Sequence, residues 1–284
     1  MDFLSELTQG NGLVAAELRP PRATLGPKAG MEAWIDTYHA IEGLARLGTY
    51  SFLTDGAVGK QEEDNLRHLI ANLGDDISRE QIVPFLTTKH TLNHCLQYAD
   101  RAWETGFRSL VVLGGDTTVG TPRVVPHGSD LRQLIRKRQP KLKLGGWANP
   151  HANISNQVDF LLEKNITANF FLTQVVSHHD RKTVERFVTE ARQRELTLPG
   201  VFGVFFYRSA SIDTLESLAQ FLPVPAAHLI AEFEAGLTAV QICARSIAML
   251  RDVGVSNIYV SNLPVGRATS TLKEILSEAE QPTG

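Results

Sequence analysis

The chain has 284 residues, 43% of them hydrophobic, enough for one large core or two small ones. Lys and Arg total 28 against 31 Asp and Glu, so the formal charge of -3 gives no electrostatic reason to expect nucleic acid. No apolar stretch approaches the roughly 20 residues that span a bilayer, so no membrane segment is expected. The start, Met1-Asp2-Phe3-Leu4-Ser5-Glu6, lacks the basic and apolar regions of a secretion signal. Only Cys95 and Cys243 are present, without metal-ligand spacing, and reduced thiols in a cytoplasmic protein are expected.

Short apolar runs alternate with polar segments of helical period. Strands are predicted over residues 13–17, 50–54, 82–87, 109–113, 142–147, 170–174, 201–206 and 257–261. Helices are predicted over 31–47, 61–73, 91–104, 130–138, 156–164, 180–194, 211–221 and 237–253. Thr91 and Asp180 suit N-caps, and Gly48, Gly74, Gly106 and Gly254 suit C-caps. Residues 1–12 and 278–284 read as mobile termini of one continuous domain spanning 1–284. Eight strands alternating with helices imply parallel pairing with right-handed crossovers. Either an open doubly wound sheet or a (β/α)8 TIM barrel satisfies that pattern. The count of eight favours the barrel, as does the scatter of polar residues over nearly every strand end.

In a barrel the active site lies at the C-terminal ends of the strands. Those ends carry Glu17, Thr54 with Asp55, Thr87 with Lys89 and His90, Gly114-Gly115-Asp116, Trp147 with Asn149 and His151, Gln174, Tyr207 with Arg208, and Asn262. Glu17, between a buried run and Pro20-Pro21, suits a general acid if apolar neighbours raise its pKa; pairing with Arg19 is the structural alternative. Asp116 follows paired glycines that let a ligand approach the backbone, and its two acceptors suit an amino-substituted heterocycle. Its alternative is a cap with Thr117 and Thr118. Gln174 suits a ring edge of mixed polarity, or else braces the loop to Val175. Trp147 lines a planar pocket or fills core, and Phe205 and Phe206 split between inside and outside of the barrel. His178 and His179 form no evident metal set among the nine histidines. The cluster Arg132, Arg136, Lys137, Arg138, Lys141 and Lys143 reads as a solvated helix face.

These motifs, in this order, resemble the methylenetetrahydrofolate reductase family from about residue 13 to 276. Ala16-Glu17-Leu18-Arg19-Pro20-Pro21 is similar to the family's Glu-Phe-x-Pro-Pro, Leu113-Gly114-Gly115-Asp116 to its Leu-Arg-Gly-Asp, and Leu172-Thr173-Gln174 to its Ile-Thr-Gln. The resemblance implies a (β/α)8 barrel that reduces 5,10-methylenetetrahydrofolate to 5-methyltetrahydrofolate with NAD(P)H, normally through FAD. It implies Glu17 as general acid, Asp116 and Gln174 on the pterin edge, and Phe205 or Phe206 as an aromatic contact to the folate. Thr54, Thr87, Gly115, Asp116 and Trp147 would line the cofactor face. The departures cluster on the flavin side. The family's motif arginine is Gly114 here, its Pro-His-Leu-Thr reads Pro84-Phe85-Leu86-Thr87, its Tyr-Ala-Ser-Asp reads His127-Gly128-Ser129-Asp130, and its Tyr-Pro-Glu reads Trp147-Ala148-Asn149. Basic contacts before strand six have no match in Leu161-Leu162-Glu163-Lys164. Two reductive routes therefore remain open: through bound FAD, or by direct hydride transfer from a nicotinamide. A redox-inactive folate-binding paralogue and a tetrahydrofolate-dependent transferase or demethylase are the alternatives. A small-molecule folate is the expected partner, and the sequence leaves homo-oligomerisation open.

Overall fold

The computed structural model describes residues 3–10, 12–56, 64–74, 76–117, 120–163 and 167–281. Eight strands run in chain order: β1 (Val14–Leu18), β2 (Tyr50–Leu53), β3 (Ile82–Thr87), β4 (Ser109–Leu113), β5 (Lys143–Ala148), β6 (Phe170–Thr173), β7 (Gly200–Phe205) and β8 (Ile258–Ser261). Each pairs in parallel with the next, and β8 returns to β1, with Glu17 opposite Ser261, so the sheet closes. The open-sheet alternative is thereby excluded.

The helices are α1 (Phe3–Thr8), α2 (Pro27–Arg46), α3 (Asn65–Asn72), α4 (Leu92–Glu104), α5 (Gly128–Arg138), α6 (Ile154–Leu162), α7 (Arg181–Gln193), α8 (Ile212–Ala219), α9 (Ala226–Glu234), α10 (Ala239–Asp252) and α11 (Ala268–Ala279). Thr91 caps α4 by accepting from the His94 amide at 3.3 Å, and Cys95, Tyr98, Ala99 and Ala102 form its buried face, as the spacing predicts. Both cysteines are free and buried. No helix among the described residues is long and apolar enough to cross a membrane.

Strand alternation sorts side chains into two layers. Leu13, Ala15, Tyr50, Phe52, Val83, Phe85, Val111, Phe170, Leu172, Val201 and Tyr259 fill the barrel interior. Their neighbours, including Leu18, Leu53, Leu86, Val112, Leu144, Val204 and Val260, pack outward against the helices. The interior holds large rings because some strand positions lack side chains. A Cβ on Gly203 would lie 2.4 Å from the Tyr259 ring, whose hydroxyl donates to the Thr173 carbonyl at 2.7 Å.

Several expectations need correction. The segment expected to be a mobile N-terminus forms α1, because Phe3 and Leu7 are apolar enough to plug the barrel floor; they are 1% and 2% exposed. At the other end, α11 extends to Ala279. Three helices were not predicted. α1 is too short to show a period, and α9 buries only Leu229. In α11 the signal was legible, since Ala268, Thr271, Leu272 and Ile275 lie at helical spacing. Gly48, Gly106 and Gly254 take positive φ of 70°, 97° and 81° behind their helices, whereas Gly74 does not: α3 leaves through Leu73 in extended conformation. The start of the helix predicted over 61–73, and the end of that predicted over 156–164, lie outside the described residues. Asp180 holds the N-cap position of α7 as predicted, but its carboxylate turns back onto the Ser177 amide and hydroxyl instead of bonding the amides of α7. The basic cluster is only partly solvated. Arg132 donates to the Val112 carbonyl, and burial brings its pKa down to about 10. Arg136 donates to the Leu142 and Thr167 carbonyls, and Arg138 pairs with Asp100.

Candidate active site

A cavity of about 340 Å³ opens at the C-terminal ends of the strands. That lies within the range of about 300–1,000 Å³ typical of small-molecule sites. Glu17, Thr54, Gly115, Asp116, Trp147, Gln174 and Phe205 all line it, as do Arg19, Phe85, Leu113, Gly114, Arg123, Phe221, Leu222, Tyr259 and Ser261. Seven of the predicted site residues thus come together.

Glu17 reaches the cavity because β1 alternates: Leu13, Ala15 and Glu17 face inward, while Ala16 and Leu18 face the helices. Ser261, its partner across the β1–β8 ladder, donates to Oε1 at 2.6 Å. Burial pushes the Glu17 pKa up; the Ser261 bond and the Arg19 charge oppose this without cancelling it. The group is therefore a carboxyl predisposed to hold its proton, with one oxygen oriented by a hydroxyl. Arg19 approaches electrostatically, but forms no ion pair with it.

Gln174 follows β6 on its inward face. Its Oε1 accepts from the Val175 amide at 3.0 Å, so the bracing role is real, and the amide NH₂ is left for the cavity. Asp116 lines the same cavity beyond Gly114 and Gly115. Thr118, the more distant partner in its predicted cap, lies outside the described residues. Phe205 faces the cavity and packs with Val175 and Tyr207 near α8–α10.

Two predicted site residues are placed elsewhere. Phe206 points away from the cavity and packs into the layer between barrel and helices, because inward parity falls on Phe205. Thr87 is 1% exposed and does not line the cavity. Its amide and hydroxyl both donate to Asp55 Oδ2, at 2.7 and 3.0 Å, and His90 Nε2 meets the same carboxylate at 2.8 Å. That carboxylate holds the His90 pKa up, against the opposing effect of burial.

Sequence reasoning missed the supports of the wall. Asn65, 2% exposed, donates to the carbonyls of Leu53, Thr54 and Phe85 and accepts from the Tyr98 hydroxyl at 2.8 Å. This fixes the ends of β2 and β3, where Thr54 and Phe85 enter the cavity. Buried Thr88 donates from its amide to the Leu113 carbonyl and from its hydroxyl to the Gly114 carbonyl, and accepts from the Val124 amide. An isolated Asn or Thr carries no signal of such a role. Arg123 was missed too: it sits in a loop, and only its bonds to the Gly115 carbonyl and its place in the cavity lining reveal it.

His178 and His179 lie outside the cavity. Their Nε2 atoms meet the two oxygens of Glu232 at 2.9 and 3.1 Å, with donor atoms close enough together to hold a metal ion. The sequence separates these groups by more than 50 residues, which is why no set was visible. Arg245 also donates to Glu232 Oε1 at 3.1 Å, so the carboxylate already has a full cation beside it.

The fold and site define a (β/α)8 barrel with a carboxyl-bearing cavity at its mouth. The family model for methylenetetrahydrofolate reductase matches residues 3–277, and the chain belongs to that family. No curated protein matches it. Among solved structures, an uncharacterized protein from Clostridium thermocellum that binds two copies of 5-methyl-5,6,7,8-tetrahydrofolic acid is similar, at 17% identity over 98% of both chains, with TM-score 0.65. A protein from Aquifex aeolicus VF5 aligns at 10% identity over 98% of this chain and 96% of its own, with TM-score 0.49.

Proposed function

We propose that this protein is a folate-dependent one-carbon oxidoreductase that reduces 5,10-methylenetetrahydrofolate to 5-methyltetrahydrofolate with hydride from a nicotinamide. The observation that carries this reading is one cavity holding Glu17, with its pKa raised by burial, beside Asp116 and Gln174. Family membership supports the reaction class, and the folate bound by the Clostridium thermocellum protein supports the ligand class.

The chemistry asks for these groups. Asp116 accepts from the amino edge of the pterin, and the Gln174 amide donates to its carbonyl side. Glu17 gives its proton to a nitrogen of the methylene bridge. The carbon–nitrogen bond then breaks with its electron pair going to that nitrogen, which leaves an iminium at the other. Hydride from the nicotinamide C4 adds to the iminium carbon and makes the methyl group. Oxidised nicotinamide leaves, and the Glu17 carboxylate takes a proton back from solvent.

Among the described residues, the wall built by β3, β4 and β5 offers a resident flavin ring few side-chain donors. An isoalloxazine edge carries carbonyls and ring nitrogens that need donors. The side chains that β3, β4 and β5 offer the cavity are Phe85, Leu113 and Trp147, and Thr87 is withdrawn onto Asp55. Apolar and indole surfaces of this kind suit stacking by a small ring. We therefore place the nicotinamide against this wall, with no step routed through FAD. The absorbance spectrum of the purified protein tests this. A colourless protein that oxidises NADH when given the folate is expected; a stoichiometric flavin band overturns direct transfer. Absence of turnover with any reductant, alongside tight folate binding, favours a redox-inactive folate-binding protein.

A further inference from the structure

The Gly114-Gly115 turn is a crossing point for two basic side chains. A Cβ on Gly114 would lie 2.9 Å from Cζ of Arg123, and one on Gly115 would lie 2.9 Å from Cε of Lys89. A side chain at 114 would therefore displace the Arg123 guanidinium from the cavity wall, where it now lies on the Gly115 carbonyl, next in the chain to Asp116. The cation absent from position 114 is supplied from a loop nine residues further along the chain.

Arg123 is held in place from both sides. The next amide, Val124, donates to the Thr88 carbonyl at 2.7 Å. Nε and Nη2 of Arg123 donate to the Gly115 carbonyl, and Nη1 donates to the Pro126 carbonyl at 3.0 Å. A guanidinium has five N–H donors, so two are left over. Among the described residues no carboxylate lies within ion-pair distance of Arg123. A half-buried, pre-oriented guanidinium with spare donors and no anionic partner among the described residues suits an anion.

We propose that Arg123 binds a phosphate of the nicotinamide dinucleotide, so that the pyrophosphate crosses the Gly114-Gly115 turn on its way out of the cavity. This rests on the reductase reading above and adds a nucleotide contact to it. The folate tail is the other anion on offer, but a pterin held edge-on at Asp116 directs its tail away from Asp116, and so away from Arg123. Arg19, just past the end of β1, is a cation at a different strand end.

Calorimetric titration of NADH and of 5-methyltetrahydrofolate into wild type, Arg123→Gln and Arg123→Lys tests the assignment. Loss of a charge-assisted contact is expected to weaken NADH at least about tenfold in Arg123→Gln, with folate affinity within about twofold of wild type and Arg123→Lys in between. Equal weakening of both ligands means a collapsed loop and overturns the assignment, as does weakening of folate alone. A wild type that arrives with flavin and loses it in Arg123→Gln also overturns it. A wild type that binds folate but no nicotinamide nucleotide overturns this inference and leaves the folate site standing; one that binds neither overturns both.

Discussion

The two ends of the barrel are closed by opposite chemistry. At the floor, Phe3 of α1 meets Tyr50, Phe52 and Phe170 edge-on, with ring centroids 5.1, 5.9 and 4.9 Å away. The Tyr50 hydroxyl there donates to Glu6 at 2.6 Å. At the mouth, the same inward-facing registers end in Glu17, Gln174 and Ser261, around a space left open. Edge-to-face rings and full burial give stability. A carboxyl kept from its preferred ionised state costs stability, and is retained where chemistry needs it. Within five residues the chain passes from Leu13, clustered with Phe3 and Leu7, to Glu17 at the mouth.

The sharpest way to break this contrast is at the mouth. Glu17→Gln removes the acid and is expected to lower kcat about 100- to 10,000-fold, measured by NADH oxidation. The same change should raise stability near neutral pH. A raised carboxyl pKa means that the unfolded chain ionises first, so wild type loses stability as pH climbs past the ordinary value of 4.5. The gap between variant and wild type should close below that value. For the same reason wild-type turnover should fall as pH rises through the raised Glu17 pKa.

At the floor, Phe3→Ala should have the converse profile. It is expected to cost about 3–5 kcal/mol by urea unfolding, with folate affinity unchanged at temperatures where the variant stays folded. A variant that lost affinity and stability together would show that the ends are coupled. The smallest effect belongs to the rim. The His90 pKa is raised by Asp55, so its contribution is complete below the ordinary value of 6.5 and is lost as pH rises through the folded value. Comparing wild type with His90→Gln from about pH 6 to about pH 8 should show wild type losing about 0.2–1 kcal/mol more, a small figure because His90 is partly exposed.

The barrel and the face that lines its cavity were legible in the sequence because strand parity is a local property. Once β1 is read as a strand, Glu17 must share a face with Ala15. The same rule separates Phe205 from Phe206, and only position relative to the strand end chooses between them. What stayed hidden depends on contacts between distant segments. Thr87 looks like a pocket residue until Asp55 is placed against it. Asn65 falls inside a predicted helix without distinction, yet it ties three backbone carbonyls together. The floor helix was missed because six residues cannot display a period, and its burial depends on a barrel that already exists. Glu232, on α9, joins His178 and His179, which follow β6, only through tertiary packing of segments far apart in the chain.

Thr88 has a consequence for motion. By bonding Leu113, Gly114 and Val124 at once, it makes the connections after β3 and β4 a single cooperative unit. Neither can open alone without breaking the buried bonds of the other. A ligand that stiffens the Gly114-Gly115 turn is therefore expected to stiffen the segment that carries Thr88 as well.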